Sequence, residues 1–524
     1  MDSHVDVGGG VGLNLDSLKR AFSPASLVAL VGVWLGYRFL VGLYNVSALH
    51  PLSGFPGPKI AAFSYAYEAY YDWICGGQYT NKIRQMHERY GPIVRINPDE
   101  LHCSDPLWVD EIYTNTPGRI RDKWQHQLNT GGAGPVSVTG FSTVPHELHR
   151  LRKGALSRFF SRQQMQRLEG EVLDFANETV NKMLRWSGKE PFNIKEALNC
   201  FTADVIAQYG FGEHMGFVAQ EGWTPNLATY TESFLKSAYL MRHFALGRKA
   251  ANFLPMFANY LGEDMKRVMH WMNELIPQYI TNAINDPNNG RVFAELVESK
   301  ALPAEEMTMY RLSGEGFNFL LAGTETTAAT LTVITYWLLA RPETYKRLMN
   351  DLDGLTPETL KWNDLEKRPY MWAVVHESLR MMPGVSHRSA RIARNEDLVY
   401  KSKDGKTWVV PRGTPIGMTS IINHFDEDLF PNPHDFNPDR FLLNGQPNYK
   451  LAKYMLAFGK GTRSCLGENL AYCEVYIMAA LLAMRVVPRA RLVNTTYEEN
   501  LKYSHDMIVP QTKNGAVAVH IKID

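Results

Sequence analysis

The chain opens polar and then turns almost continuously apolar from Ala25 to Tyr44. Twenty residues at about 1.5 Å each span about 30 Å, one hydrocarbon core, so this stretch predicts a single membrane-spanning helix. Trp34, Tyr37 and Tyr44 suit the interfaces, and Arg38 can snorkel toward the nearer one. The alternative for such a run is a cleaved signal peptide, with Val46-Ser47-Ala48 as its processing site. His50 to Pro58 holds three prolines and two glycines, which forbid a helix and predict a stiff hinge. Tyr90 to Ile96 alternates after a turn and predicts a half-buried strand. Gly131 to Val144, rich in Gly, Ser and Thr, predicts a mobile loop. Residues 165–300 carry helical spacing. Their stripe of Phe234, Tyr239, Met241, Phe244, Phe253 and Phe257 fits a core face as well as a ligand-binding one.

The longest uninterrupted pattern is Glu305 to Ala340, proline-free and bracketed by Pro303 and Pro342. It predicts one helix about 50 Å long. Between Phe317 and Ala340 its one charge is Glu325, so composition admits a second membrane span. A carboxylate near the middle, Asn318 and six threonines are too polar to face lipid, and a helix at the centre of a large protein is expected instead. Leu466 to Arg485 predicts a further helix, entered from the basic, glycine-rich loop Phe458–Gly467.

Composition narrows the class. A chain of 524 residues allows three ordinary domains, or one large enzyme domain with an anchor. Apolar residues at 45% and charged residues at 21% suit a substantial core. A formal charge of +1 gives no reason to invoke nucleic acid. Five scattered cysteines make no disulfide framework and point to a reducing compartment.

The chemistry centres on Cys465. A helix N-terminus beside it and Arg463 two residues away both favour the thiolate. Gly459, Gly461 and Gly467 let backbone approach a flat cofactor. With no second Cys or His at zinc-ligand spacing, the lone thiolate suits a haem iron, which takes one axial protein ligand. A free cysteine taken by itself is more ordinarily a small buried apolar residue. In the long helix, Ala322-Gly323-Thr324-Glu325-Thr326-Thr327 gathers poor helix formers. It predicts a locally opened helix whose acid and alcohol could deliver protons. Glu377 and Arg380 stand i, i+3 in another helix and can pair. His149-Arg150-Leu151-Arg152-Lys153 is a basic cluster, either a solvated face or a contact to a cofactor or an electron donor.

Phe458, Gly461, Arg463, Cys465 and Gly467 fill every fixed position of F-x-x-G-x-R-x-C-x-G, and by them the chain resembles the cytochrome P-450 superfamily. Ala322–Thr326 matches that family's [AG]-G-x-[DE]-T, Glu377 and Arg380 its E-x-x-R, Pro438–Phe441 its P-x-R-F, and His50–Pro58 its proline-rich hinge. The resemblance implies a mainly α-helical fold with a smaller β-rich region behind a single N-terminal transmembrane helix. Its divisions are a tail over 1–24, an anchor over 25–44, a hinge over 45–58 and a haem-binding catalytic domain over 59–524. It implies haem b with its iron on Cys465 and cofactor contacts from Phe458, Gly459, Arg463, Gly467, Ala322 and Gly323. Thr326 would hold a water and oxygen network and Glu325 would relay protons. Glu377, Arg380 and Arg440 would form a buried charge cluster behind the haem that locks the cysteine loop. Where the family often has W-x-x-x-R, this chain has His149 and Lys153. Lys153 is therefore a candidate for the haem propionates, with Arg150 and Arg152 as alternatives. Of His387, Arg388 and Arg391 further on, Arg388 is the one named.

The implied reaction inserts one oxygen atom from O₂ into a lipophilic small molecule. Electrons would come from NADPH through a cytochrome reductase docked over Lys460, Arg463 and Lys153. The implied setting is the endoplasmic reticulum membrane, single-pass, with the catalytic part cytosolic. His50–Lys59 and Gly384–Arg388 resemble fungal members, the trichodiene oxygenase type among them, which act on terpenoids, polyketides or alkaloids of secondary metabolism. The alternatives are a haem-thiolate isomerase or dehydratase that needs no reductase, and a membrane haem-binding protein without catalysis.

Overall fold

The computed structural model describes residues 24–132, 134–251, 262–286 and 291–524. The amino-terminal tail and Phe253 and Phe257 of the aromatic stripe lie outside the described residues, as does the side chain of Phe234.

The long pattern becomes one helix, Met309–Ala340, of 32 residues. It begins later than the proline bracket suggests because Thr308 caps it, its hydroxyl accepting the Arg311 amide at 3.4 Å. Apolar helices surround this central helix: Ile194–Phe211, Ile276–Asn285, Pro369–Met381 and Glu468–Leu481. Most of its residues are buried. Protein, not lipid, therefore takes up its apolar surface, as a helix apolar on every face requires. The helix Glu468–Leu481 is also apolar enough to cross a membrane and is likewise buried.

The β-rich part is a five-stranded sheet. Ile93–Arg95 pairs antiparallel with Leu101–Cys103, Val94 facing His102. Leu101–Cys103 runs parallel to Pro415–Gly417, and Arg391–Ala393 joins the latter to Arg121–Lys123. The first strand was expected half-buried, yet all three of its residues are buried. Arg95 can be buried because its guanidinium donates to Asn45 O at 2.9 Å and to Pro98 O at 2.6 Å, leaving little of its charge unsolvated.

The first apolar run is a helix, Pro24–Val46, with its large side chains exposed along nearly its whole length. Its C-terminal end touches the rest of the molecule. Gly42 lies directly against the Phe63 ring, where any side chain would clash. Asn45 Nδ2 donates to Phe63 O at 3.2 Å. The hinge is stitched down too, with the Arg95 amide donating to Pro56 O at 2.8 Å and Leu52 buried among the sheet's side chains.

The Gly131–Val144 segment departs from the mobile loop its composition predicts. It contains a short 3₁₀ helix, Pro135–Val138, and the Gly140 amide donates to Glu315 Oε1 of the central helix at 2.6 Å. Gly314 brings the central helix so close to the Pro135 carbonyl that only a glycine fits.

Candidate functional site

The cysteine loop is a tight turn closed on itself. The Cys465 amide donates to Phe458 O at 2.8 Å and the Ser464 amide to Gly461 O at 3.0 Å. Gly459 and Gly461 have φ of +62° and +73°, a region costly for any residue with a Cβ. Gly461 also abuts the Tyr113 carbonyl. The helix Glu468–Leu481 starts three residues past the sulfur. Phe458 packs on Tyr472 of that helix, ring centroids 4.9 Å apart.

Cys465 is exposed, yet dense protein around it pushes the thiol up to about 11, outweighing the pull of the Gly467 N–H and of Lys153. The residue is accessible although protein atoms crowd it. On the central helix Ala322 is exposed and Gly323, Glu325 and Thr326 are partly exposed, in a helix that is mostly buried. Arg463 does not aid the thiolate as its position in the sequence suggested. Its guanidinium turns away, donating to Thr143 O at 2.6 Å and Val144 O at 2.7 Å. The protein alone leaves the sulfur protonated; a bound metal ion deprotonates its thiol outright.

Beside the loop five basic side chains converge: Lys123, His149, Lys153, Arg391 and Arg463. They bond mainly to neutral acceptors. Lys123 donates to Phe141 O at 2.6 Å, Lys153 to Ser464 O at 2.7 Å, and Arg391 to Ala390 O at 2.9 Å. Among the described residues Arg463 Nε is buried with no partner. Burial, then mutual repulsion, holds Lys123 well below the usual lysine range and brings His149 to about 2. Burial with repulsion from Arg391 lowers Arg463 to about 9. Desolvated cations without carboxylate partners are unstable together, and a dianion would neutralise them. Haem b carries two propionates, and next to this group stand a reachable sulfur and the glycines Gly459 and Gly467, whose missing side chains would meet nothing within 4 Å. The residues present therefore fit haem.

On the central helix, Glu325 forms an ion pair with Lys195 of the helix Ile194–Phe211. The Thr326 hydroxyl donates to Ala322 O at 2.8 Å. Helix geometry runs unbroken through 322–327, so the expected local opening is not there. The Thr324 and Thr326 hydroxyls satisfy themselves on carbonyls one turn back without displacing the backbone bonds. Gly384 packs against Thr326; a Cβ there would come within 2.7 Å.

Behind the loop, Arg380 Nε and Nη2 donate to Glu377 at 2.7 and 2.9 Å, and Arg440 Nε to Glu377 Oε1 at 3.0 Å, all three side chains almost fully buried. The link from this cluster to the loop is His424, which no sequence motif marked. Arg380 Nη1 donates to His424 O at 2.9 Å, and His424 Nε2 accepts the Leu456 amide at 2.7 Å, two residues before Phe458.

Four expectations are corrected. Arg388 does not face the cofactor region with a free charge, because Glu68 and Glu100 hold its guanidinium in a buried network that also contains Arg242 and Asp72. Arg391, three residues on, joins the cation group instead. Arg152 is taken by Glu306 at 2.7 Å, and Arg150 is exposed and outside the cation group. Lys153 reaches the cation group but spends its ammonium on the carbonyls of Thr462 and Ser464. Arg463 and Lys153 thus point inward and cannot form an outer docking face, which leaves Lys460 from the set proposed for an electron donor. Lys123, in a three-residue strand, carried no signal at all; only the fold brings it to the loop.

A reachable thiol, a dianion pocket, and an acid with an alcohol on one long helix define a haem-thiolate oxidoreductase. A family model described as Cytochrome P450 matches residues 67–485. The chain is 39% identical to the cytochrome P450 monooxygenase ppzE of Metarhizium majus, over 80% of this chain and 92% of that one. It is 36% identical to the cytochrome P450 monooxygenase oblB of Cochliobolus heterostrophus, over 92% and 93%, and 33% identical to the tryptophan 6-hydroxylase fscE of Fusarium equiseti, over 90% and 92%. A cytochrome P450 crystal structure shares the fold at a TM-score of 0.65 and 16% identity, over 85% of this chain and 98% of that one. The chain belongs to the cytochrome P450 family and is a haem-thiolate monooxygenase.

Proposed function

We propose that Cys465 would hold the haem iron through its sulfur, that Arg463, Arg391 and Lys123 would meet its propionates, and that Phe458, Gly459, Gly467, Ala322 and Gly323 would pack against it. Haem, when bound, supplies the activation of O₂. The chain supplies position, dryness and protons: Thr326 offers a partly exposed hydroxyl, and Glu325, tied to Lys195 and partly exposed, passes protons toward it. The observation that carries this reading is the group of buried basic side chains without carboxylate partners beside a reachable thiol.

The substrate is a lipophilic small molecule of secondary metabolism, a class supported by the fungal monooxygenases among the relatives. One relative is named for hydroxylating tryptophan, so indole scaffolds belong beside terpenoids and polyketides in a binding screen. Electrons come from NADPH through a cytochrome reductase. The helix Pro24–Val46, 23 residues and almost wholly exposed, anchors the enzyme in the endoplasmic reticulum membrane with the catalytic part in the cytosol. Two measurements test this. A Cys465→Ala variant that kept an unaltered carbon monoxide difference spectrum would remove Cys465 as the ligand. A Thr326→Ala variant should divert NADPH-derived electrons to peroxide once a substrate is found by spectral shift, and turnover as tightly coupled as wild type would remove Thr326 from its role.

A further inference from the structure

The reaction leaves one cluster of buried charge unused, at the carboxyl end of the helix Leu227–His243. Two carboxylates face that end. Glu68 lies in the short helix Ala66–Ala69, and Asp72 in the turn Tyr70–Ile74 that continues it. Four residues apart, they share one face. The turn is π-helical, a distortion frequent at functional positions. Both side chains are almost fully buried.

Their charge is not balanced. Among the described residues the network holds four buried carboxylates, Glu68, Asp72, Glu100 and Asp506, and two guanidiniums, Arg242 and Arg388, joined directly or through His387. Arg248 nearby spends its guanidinium on the carbonyls of Met241 and Arg242. Burial holds His387 at about 4 and lowers His126 as well, so neither supplies the missing charge. Surplus negative charge in a poorly hydrated interior is costly until a proton or a cation joins it.

His243 provides a second observation. Its side chain is 9% exposed. Among the described residues its Nε2 is buried without a hydrogen-bond partner. That nitrogen lies 3.6 Å from Asp72 Oδ2 and 4.0 Å from Glu68 Oε1, and the three atoms fall within 4.8 Å of one another. Two ligand atoms about 2.1 Å from one tetrahedral ion stand about 3.4 Å apart. The two distances from His243 exceed that by a few tenths of an ångström. The carboxylates are also held from behind, as metal-ligating carboxylates ordinarily are. Arg242 Nη1 donates to Asp72 Oδ2 at 2.8 Å, Asn97 Nδ2 to Glu68 Oε2 at 2.9 Å, and Arg388 to Glu68 Oε1. His126 Nε2 is 3.1 Å from Glu68 Oε1; an ion there would take the lone pair that His126 now uses and make His126 the next nitrogen to hand.

We propose that Glu68, Asp72 and His243 bind one divalent transition-metal ion of zinc's chemistry, which clasps the carboxyl end of the helix Leu227–His243 to the helical segment 66–74. Two carboxylates and an imidazole suit such an ion, and its charge offsets the surplus. The site shares no residue with the group around Cys465, so it stands apart from the haem reading.

The test uses the full, untagged chain with haem bound. After removal of metal by a chelator and return of zinc alone, the protein should hold one zinc ion per chain at micromolar free zinc, measured by competition with a colorimetric chelator. His243→Ala and Asp72→Asn should each weaken binding by roughly tenfold or more and leave the carbon monoxide spectrum thiolate-ligated. X-ray absorption at the zinc edge should show nitrogen and oxygen neighbours, an imidazole among them, and no sulfur. Amide hydrogen exchange over residues 239–243 should slow several-fold on adding zinc to wild type and stay unchanged in His243→Ala. If Asp72→Asn takes up no haem, His243→Ala and His243→Phe carry the reading. Zinc held equally well by the His243 variants, sulfur among its neighbours, no ion taken up at micromolar zinc, or exchange at the helix end unmoved by zinc each overturns the proposal.

Discussion

The cation group beside Cys465 acts in opposite directions on the two forms of the protein. Without a dianion, Lys123, His149, Lys153, Arg391 and Arg463 repel one another in a poorly hydrated place. With propionates among them, a cation such as Lys123 or Arg391 would become half of a charge-assisted hydrogen bond worth about 1.5–3 kcal/mol. Lys123→Met should therefore leave the haem-free protein as stable as wild type or more so, in thermal melts, while haem loss to a scavenging apoprotein speeds up by roughly tenfold or more. Equal destabilisation of both forms would show Lys123 to be an ordinary structural lysine. Arg388 is the contrasting case: equally basic, but already paired with Glu68 and Glu100, so Arg388→Met should destabilise both forms alike. The two residues look the same in the sequence, because a side chain's charge is local whereas its partner is not.

At the scale of elements, the helix Pro369–Met381 controls the cysteine loop from behind. Arg380 and Glu377 are wholly buried, and removing one partner of a buried pair costs about 3–5 kcal/mol. Arg380→Ala should fold poorly, with little haem incorporated per chain. A normal yield of thiolate-ligated protein would contradict the link drawn through His424. That link also titrates. Burial, against the hydrogen bond to the Arg380 carbonyl, holds His424 at about 3, below the ordinary 6.5. The folded state thus prefers the neutral ring, whose Nε2 must accept the Leu456 amide, and the unfolded chain binds more protons between those two values. Stability is complete above about pH 6.5 and falls as pH drops toward 3, by up to about 1.4 kcal/mol per pH unit for this one group. Denaturant titrations between about pH 4 and 6.5 should show a shallower slope in His424→Gln than in wild type; an unchanged slope would remove His424 from the account.

For the molecule as a whole, the apolar helix and the globular part meet at a small fixed joint. Arg95 holds the end of the helix at Asn45 O and the turn at Pro98 O, and its amide holds Pro56. The proline-rich segment is stiff because it is stitched to the sheet as well as because prolines restrict it. Arg95→Ala should open residues 47–58 to limited proteolysis while the carbon monoxide spectrum stays thiolate-ligated. Resistance equal to wild type would mean that the prolines suffice. Removing residues 1–46 should shift the enzyme from the membrane pellet to the soluble fraction, apart from what the exposed Leu49 and Ile60 retain.

What the sequence determined by itself is whatever depends on neighbours along the chain. The central helix, the apolar helix near the N-terminus, the tight turn around Cys465 and the Glu377–Arg380 pair follow from periodicity, capping, glycine and i, i+3 spacing, and all could be read before folding. Tertiary structure decided everything that depends on partners far away in the chain. It chose Arg391 and Lys123 over Arg388 for the cation group, turned Arg463 and Lys153 inward, ordered part of the Gly131–Val144 segment through Glu315, and ran His424 between charge cluster and loop. Each of these turns on where a charge or a hydroxyl finds its counterpart once water is excluded. Spacing along a chain fixes which groups exist and which way their own element faces; only packing fixes which of them are left without a partner.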